Sequence, residues 1–283
     1  MSHVLSQFDT LNLDSKPRPR DWLLTQPLGG VGFLPRGEVG MVTGGPGKSM
    51  SLLQLAVSVA SGVPWLGAHG YPVPPSSVGK VFMASAVDDD DENHRRLWDI
   101  RAELALTDAQ WNKVCENLCL MSRRAIDRLV ESSYPKDGAV DLIRKKIGDM
   151  PLTAAIFDPL PSFGPADMET DNYSAMVLMD KFQRIALGRG RPSVVLAHPM
   201  NKSGRLGDGA GSTVAARGSS AISDCVRWQV SMGEVFSDRK PTGKRVMVHT
   251  KGNYGPLCPA VVYESRPSTG VLVACAAAQA PAV

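Results

Sequence analysis

Short apolar runs alternate along this chain with stretches whose apolar positions recur every three or four residues, and the rhythm starts at Trp22. Apolar runs suit buried strands, and the three-to-four spacing suits helices with one covered face. Repeated in this order they predict βαβ units and a mostly parallel central sheet flanked by helices. Val39–Thr43 reads as a buried strand that enters a glycine-rich turn, and the next helix runs from about Lys48 to Ser61 with Leu52, Leu53, Ala56 and Val59 inward. A second strand, "KVFMASA", covers Lys80–Ala86 and empties into the acidic run Asp88–Glu92. Acids are stabilised at the positive end of a helix, so that run opens the helix carrying His94, Arg95, Arg96 and Leu97.

Thr107 followed three residues later by Gln110 is a capping box for a short helix. A strand near Leu118–Met121 and a helix near Val140–Ile147 come next. Thr153–Phe157 is apolar or β-branched and leads directly into Asp158, which gives a central strand with a carboxylate at its C-terminal end. A helix from about Asn172 to Leu187 leads to the strand "SVVLAHP", which reaches His198. Open parallel sheets place their chemistry beyond the carboxyl ends of strands, where Asp158 and His198 both fall. Residues 199–218 are rich in glycine and poor in apolar side chains, a loop of a length that is usually functional or disordered. "AISDCVRWQVSM", "KRVMVHT", "PAVVYES" and "TGVLVAC" read as further strands joined by short turns. The expected organisation is a flexible tail over 1–20, one domain over 21–274 and a short tail over 275–283.

Composition narrows this picture only a little. The 283 residues carry a net charge of +3, with 43% hydrophobic and 21% charged residues, so gross charge points to neither nucleic acid nor membrane. Five cysteines without a paired CxxC spacing argue for reduced thiols rather than a disulfide framework. No apolar segment of signal-peptide length succeeds a basic start, and a cytoplasmic protein is expected. Ser49–Gly79 lacks Asp, Glu, Lys and Arg, but Ser51, Gln54, Ser58 and Ser61 share one helical stripe, and Gly62, Pro64, Gly67 and Gly70 break up the residues beyond it. That pattern fits a buried helix with a narrow polar face, not a membrane span.

The turn between the first strand and helix reads Gly44-Gly45-Pro46-Gly47-Lys48-Ser49-Met50. In a phosphate-binding loop, backbone amides wrap a phosphate, the helix N-terminus adds positive potential, the lysine neutralises β- and γ-oxygens and the hydroxyl ligates Mg²⁺. The usual spacing places a glycine five residues before Gly47, where this chain has Val42, so the loop is shortened. Asp158 is the expected second element, a carboxylate for the Mg²⁺ shell that meets Lys48 from an adjacent strand end.

"GGPGKSM", "HRRL", "IFDPL", "AHPMNKSG", "ARGSSAISDCVRWQ" and "TKGNYG" together resemble the RecA-type P-loop ATPases of the RepA kind, the hexameric helicases of plasmid replication, over about Gly29–Glu264. The resemblance implies a RecA-like P-loop NTPase fold, ATP and Mg²⁺ as cofactors, and a homohexameric ring working on single-stranded DNA. It implies that Gly44 through Met50 hold the nucleotide, that Ser49 and Asp158 serve the metal, and that His198 senses the γ-phosphate. It further implies that Arg227 is an arginine finger reaching the neighbouring subunit's site, with Arg217 and Lys251 near the subunit interface.

One departure is sharp. Aligning "HRRL" places Val87 on the family's catalytic glutamate and Asp88 on the aspartate directly after it. Valine cannot polarise water, and successive strand residues face opposite sides. Either the strand end twists to bring in Asp88 or Asp89, or hydrolysis is slow. The family's second histidine is also absent, since Pro199 comes after His198. Single-stranded DNA is expected to meet Lys202 and Arg205 in the long loop, with Arg217 adding charge. The expected activity is therefore an ATP-driven single-stranded DNA translocase or helicase for a plasmid, phage or similar element. A hydrolysis-poor ATP-binding scaffold and a recombination or repair ATPase are the alternatives.

Overall fold

The computed structural model describes residues 15–27, 29, 31–131, 138–199, 220–237 and 240–276. In chain order its strands are β1 (Trp22–Thr25), β2 (Gly32–Pro35), β3 (Val39–Gly44), β4 (Lys80–Ser85), β5 (Leu118–Met121), β6 (Leu152–Asp158), β7 (Ser193–Pro199), β8 (Trp228–Ser237), β9 (Lys240–Gly252), β10 (Val261–Ser265) and β11 (Leu272–Ala274). The helices are α1 (Lys48–Ser61), α2 (Asp90–Glu103), α3 (Asp108–Asn117), α4 (Arg123–Glu131), α5 (Ala139–Ile147), α6 (Asn172–Ala186) and α7 (Ser220–Cys225). Nine strands form one sheet in the order β11-β10-β9-β8-β3-β7-β6-β4-β5, and β1 pairs with β2 separately. From β8 to β5 every pairing is parallel, whereas β9, β10 and β11 extend the sheet antiparallel.

The two-residue period of the central strands sorts their side chains onto two cores. Val42, Val81, Met83, Ala154, Ile156, Val195 and Ala197 face the side covered by α1, with Trp65, Tyr71 and Tyr263. Met41, Phe82, Ala84, Ala155, Phe157, Val194 and Leu196 face the side covered by α5 and α6, where Phe157, Phe163 and Phe182 pack edge to face. Each central strand is thus buried on both faces, which is why it reads as an unbroken apolar run.

Helix starts obey local chemistry. Thr107 and Gln110 make the reciprocal capping box of α3. Asp89 accepts the Glu92 amide at 2.8 Å to open α2, and Asp171 accepts the Ser174 amide at 2.8 Å to open α6. α1 is capped by Gly47 itself, held at φ 95° with no side-chain cap. Its polar stripe is buried: Gln54 donates to Leu272 O at 2.8 Å and accepts the Leu272 amide at 2.9 Å, tying the helix to β11 at the sheet edge.

One expected strand is a helix in part. The first five residues of "AISDCVRWQVSM" belong to α7 (Ser220–Cys225), and the strand begins only at Trp228. Ile222 on α7 and Val226 just past its end are both buried and pack into the core under α6. Arg20, the last residue of the expected tail, lies 3.6 Å over the Tyr254 ring and 3.8 Å from Glu38.

Candidate functional site

The parallel strands all point their carboxyl ends to one edge of the sheet, and there β3 runs through Gly44 into the loop that opens α1. Gly44 has φ 158°, close to extended, and a Cβ on it would fall 2.8 Å from the Met232 backbone carbonyl and from that residue's own Cβ. Gly47 is in the left-handed region that favours glycine. Lys48 folds back over the loop and donates to Gly44 O at 2.6 Å and Gly45 O at 2.9 Å. The loop thus keeps its lysine against its own carbonyls, poised beside the helix N-terminus.

Ser49 donates its hydroxyl to Asp158, which is 1% exposed at the end of β6. Burial pushes the Asp158 carboxyl above the usual carboxylate range, against the opposing influence of Ser49 and Lys48. One of its oxygens, Oδ2, is buried with no hydrogen-bond partner. Lys48 and Asp158 do come together, but not from adjacent strands: β7 lies between β3 and β6. His198, at the end of that intervening strand, is fully buried, pairs in register with Thr43 and bonds Pro199 O through Nδ1 at 2.9 Å. A carbonyl can only accept, so that contact places the ring proton on Nδ1.

At the end of β4 the chain turns so that Val87 is 47% exposed and Asp88 faces inward. Asp88 lies near enough to Asp158 to raise the latter's proton affinity. Its own carboxyl is raised by burial, opposed by Arg96, whose guanidinium meets it at 2.6 Å. Arg96 in turn is held by Glu92 at 2.9 Å. Of the two acids left open by the sequence, Asp88 enters the site, and Asp89 is engaged as the cap of α2. Sequence reasoning gave Arg96 of "HRRL" no task; its position eight residues after Asp88, two turns along a helix, is the signal that places it.

The other cations occupy the opposite edge of the sheet. Arg227 precedes β8, its amide bonds Val39 O at 2.8 Å, and its side chain is exposed. Lys251 is in register with Gln229 and donates to Ser223 O at 2.7 Å. Burial lowers the Lys251 pKa, and neighbouring Arg227 lowers it further. The length of β3 separates Arg227, beside Val39, from the phosphate loop by roughly 17 Å at about 3.3 Å per residue, and Lys251, level with Met41 through Gln229, by roughly 10 Å. Lys202, Arg205 and Arg217 lie outside the described residues.

A hard dication asks for oxygen ligands and accepts a small protein contribution when phosphate oxygens and water complete its shell. The Ser49 hydroxyl and the unpartnered buried Asp158 oxygen fit Mg²⁺ on those terms. Among the described residues no group of three His, Cys, Asp or Glu forms a cage for a resident metal, and no helix is long and apolar enough to cross a membrane.

A strand, glycine loop and lysine-serine helix, with the acid two strands away across a mostly parallel sheet, define a RecA-type P-loop ATPase. The chain belongs to the AAA_25 family, described as an AAA domain, whose model matches residues 2–204. Solved structures share the fold at low identity. A KaiC-like protein, PH0186, from the hyperthermophilic archaeon Pyrococcus horikoshii OT3 is 13% identical with a TM-score of 0.52, over 87% of this chain and 92% of that one. The RadB recombinase is 12% identical with a TM-score of 0.55, over 86% and 92%. The ATPase domain of G40P is 13% identical with a TM-score of 0.51, over 84% and 85%.

Proposed function

We propose that this chain binds ATP with Mg²⁺ at the Lys48 loop and hydrolyses it between subunits of a homohexameric ring that moves along single-stranded DNA. The observation that carries this reading is the division of charge across one sheet. The phosphate loop, Asp158 and Asp88 gather at the carboxyl edge, while Arg227 stands about 17 Å away at the amino edge, at about 3.3 Å per residue of β3. A cation needed on a transferring phosphoryl group cannot come from there within one chain, but it can come from a neighbour packed edge to edge. Supplying it in trans couples hydrolysis to movement between subunits.

In this mechanism Lys48 leaves the loop carbonyls and neutralises the β- and γ-phosphate oxygens. Ser49 and Asp158 hold Mg²⁺, which supplies charge neutralisation on the phosphates when bound. Asp88, oriented by Arg96, accepts the proton of the water that attacks the γ-phosphorus, and ADP leaves with the electron pair of the broken bond. His198, rigidly buried, reads the γ-phosphate at the end of β7. Lys202 and Arg205 meet the DNA phosphates.

Exposed Val87, at the position of the family's glutamate, favours one second reading, an ATP-binding protein with poor turnover. ATP hydrolysis measured with and without single-stranded DNA decides between them, with Lys48→Ala as the blank. Stimulation by DNA in the wild-type chain supports the translocase. Nucleotide binding with turnover at the Lys48→Ala level, whatever DNA is added, establishes the second reading instead. Open helical filaments in place of closed rings would reassign the chain to a recombination role.

A further inference from the structure

The phosphate loop is short of donors. Only Gly45, Pro46 and Gly47 separate the end of β3 from the start of α1, and proline has no N–H. Within the loop itself, two amides are left to face a polyphosphate. α1 offers no side-chain cap and no acid in its first turn, so its N-terminal potential is uncompensated by its own residues.

Onto this spot a second strand brings a guanidinium. Arg245 lies on β9, and its Nη1 donates to Pro46 O at 2.7 Å. A Cβ on Gly47 would fall 2.6 Å from that same nitrogen, so the guanidinium fills the space beside the helix cap. Glu234 is the cross-strand partner of Arg245 in register, yet among the described residues no ion pair joins them; the side chain is turned to the loop. Two cations, Lys48 and Arg245, therefore sit on the carbonyls of three successive loop residues at the positive end of a helix. Like charges gathered where the helix already repels them are in their favourable arrangement only when a polyanion arrives.

We propose that Arg245 is a nucleotide-binding residue of its own chain, whose guanidinium leaves Pro46 O for the polyphosphate of a nucleoside triphosphate and replaces the donors missing from the shortened loop. This rests on nucleotide binding at the Lys48 loop. It differs from the role given to Arg227, which acts on the neighbour, because Arg245 already touches the loop it serves. A bidentate, always-charged group is suited to that task, since each charge-assisted contact to phosphate is stronger than a neutral one.

The competing role is a brace that only shapes the loop through Pro46 O, and side-chain chemistry separates the two. Dissociation constants for a non-hydrolysable ATP analogue with Mg²⁺, by isothermal titration, are compared for wild type, Arg245→Ala, Arg245→Gln and Arg245→Lys, with unfolding midpoints as the control for folding. Glutamine is two bonds too short to reach Pro46 O and carries no charge, whereas lysine keeps the charge. A charge-driven role also shows as an affinity that falls more steeply with salt in the wild type and lysine chains than in the glutamine one. The expected result is a loss of about 10- to 100-fold for alanine and glutamine, and about 3-fold or less for lysine, with unfolding unchanged. Wild-type affinity in the glutamine variant, equal losses in all three variants, or no loss in any of them overturns the proposal and leaves nucleotide binding standing. A wild-type chain that binds no analogue at all overturns the functional reading itself, and this inference with it.

Discussion

Nη1 of Arg96 lies 2.6 Å from Oδ2 of Asp88, and the pair is largely shielded, with side-chain exposures of 25% and 11%. Glu92 holds the other side of the same guanidinium. This arrangement fixes the direction of the acid placed just after Val87 at the end of β4. The arginine also opposes the burial that raises the Asp88 carboxyl above its ordinary range.

Asp88→Asn is expected to lower ATP turnover by about 10²- to 10⁴-fold while leaving nucleotide affinity nearly intact, because a general base acts in the chemical step and not in binding. Steady-state hydrolysis together with a titration of the analogue checks both halves. Val87→Glu is expected to change turnover by less than about 3-fold if Asp88 is the base; a large rise assigns the chain to the hydrolysis-poor reading.

Asp158 gives a prediction with a defined sign. Its carboxyl is raised above 3.8 chiefly by burial, so between that value and its folded-state value the native chain holds a proton that the unfolded chain has released. Stability of the nucleotide-free protein therefore falls as pH rises through this window. Asp158→Asn keeps the shape and an acceptor for Ser49 but removes the charge. Urea unfolding at pH 7 should show a gain of about 1 kcal/mol without nucleotide, and added Mg²⁺ with the ATP analogue should no longer stabilise the variant as it does the wild type.

Gly40 supports the sheet at the strand that carries the loop. A Cβ there would fall 1.8 Å from the Trp228 indole, which is 1% exposed on the neighbouring strand. Gly40→Ala must therefore displace a fully packed tryptophan, and a loss of about 3 kcal/mol in denaturant unfolding is expected.

The parallel sheet is legible in the sequence because each central strand is buried on both sides, so β3, β4, β6 and β7 appear as plain apolar runs. The loop, Asp158 and His198 can be placed for the same reason, as they sit at the ends of those runs. Strand order cannot: nothing local to Lys48 or Asp158 says that β7 lies between them. α7 is hidden because its six residues are too few to establish a helical period. The inward turn of Asp88 depends on Arg96 eight residues later, and the contact of Arg245 with Pro46 joins positions 199 apart, so neither leaves a trace in local pattern.

Arg227 and Lys48 stand at opposite edges of one sheet, and that separation allows two crippled chains to repair each other. Lys48→Ala should abolish nucleotide binding in its own loop while leaving its Arg227 able to serve a neighbour. Arg227→Ala should bind nucleotide normally and lose about 10³-fold or more in turnover, the scale on which a charge supplied in trans to a phosphoryl group acts. Each variant alone is then nearly inactive. In a mixed assembly, an Arg227→Ala subunit that meets the intact Arg227 of a Lys48→Ala neighbour forms one complete site. Mixing the two proteins and measuring ATP turnover should therefore restore a substantial share of wild-type activity, rising with the fraction of such junctions. Arginine action within one chain gives no recovery at any mixing ratio, because neither variant then holds a whole site.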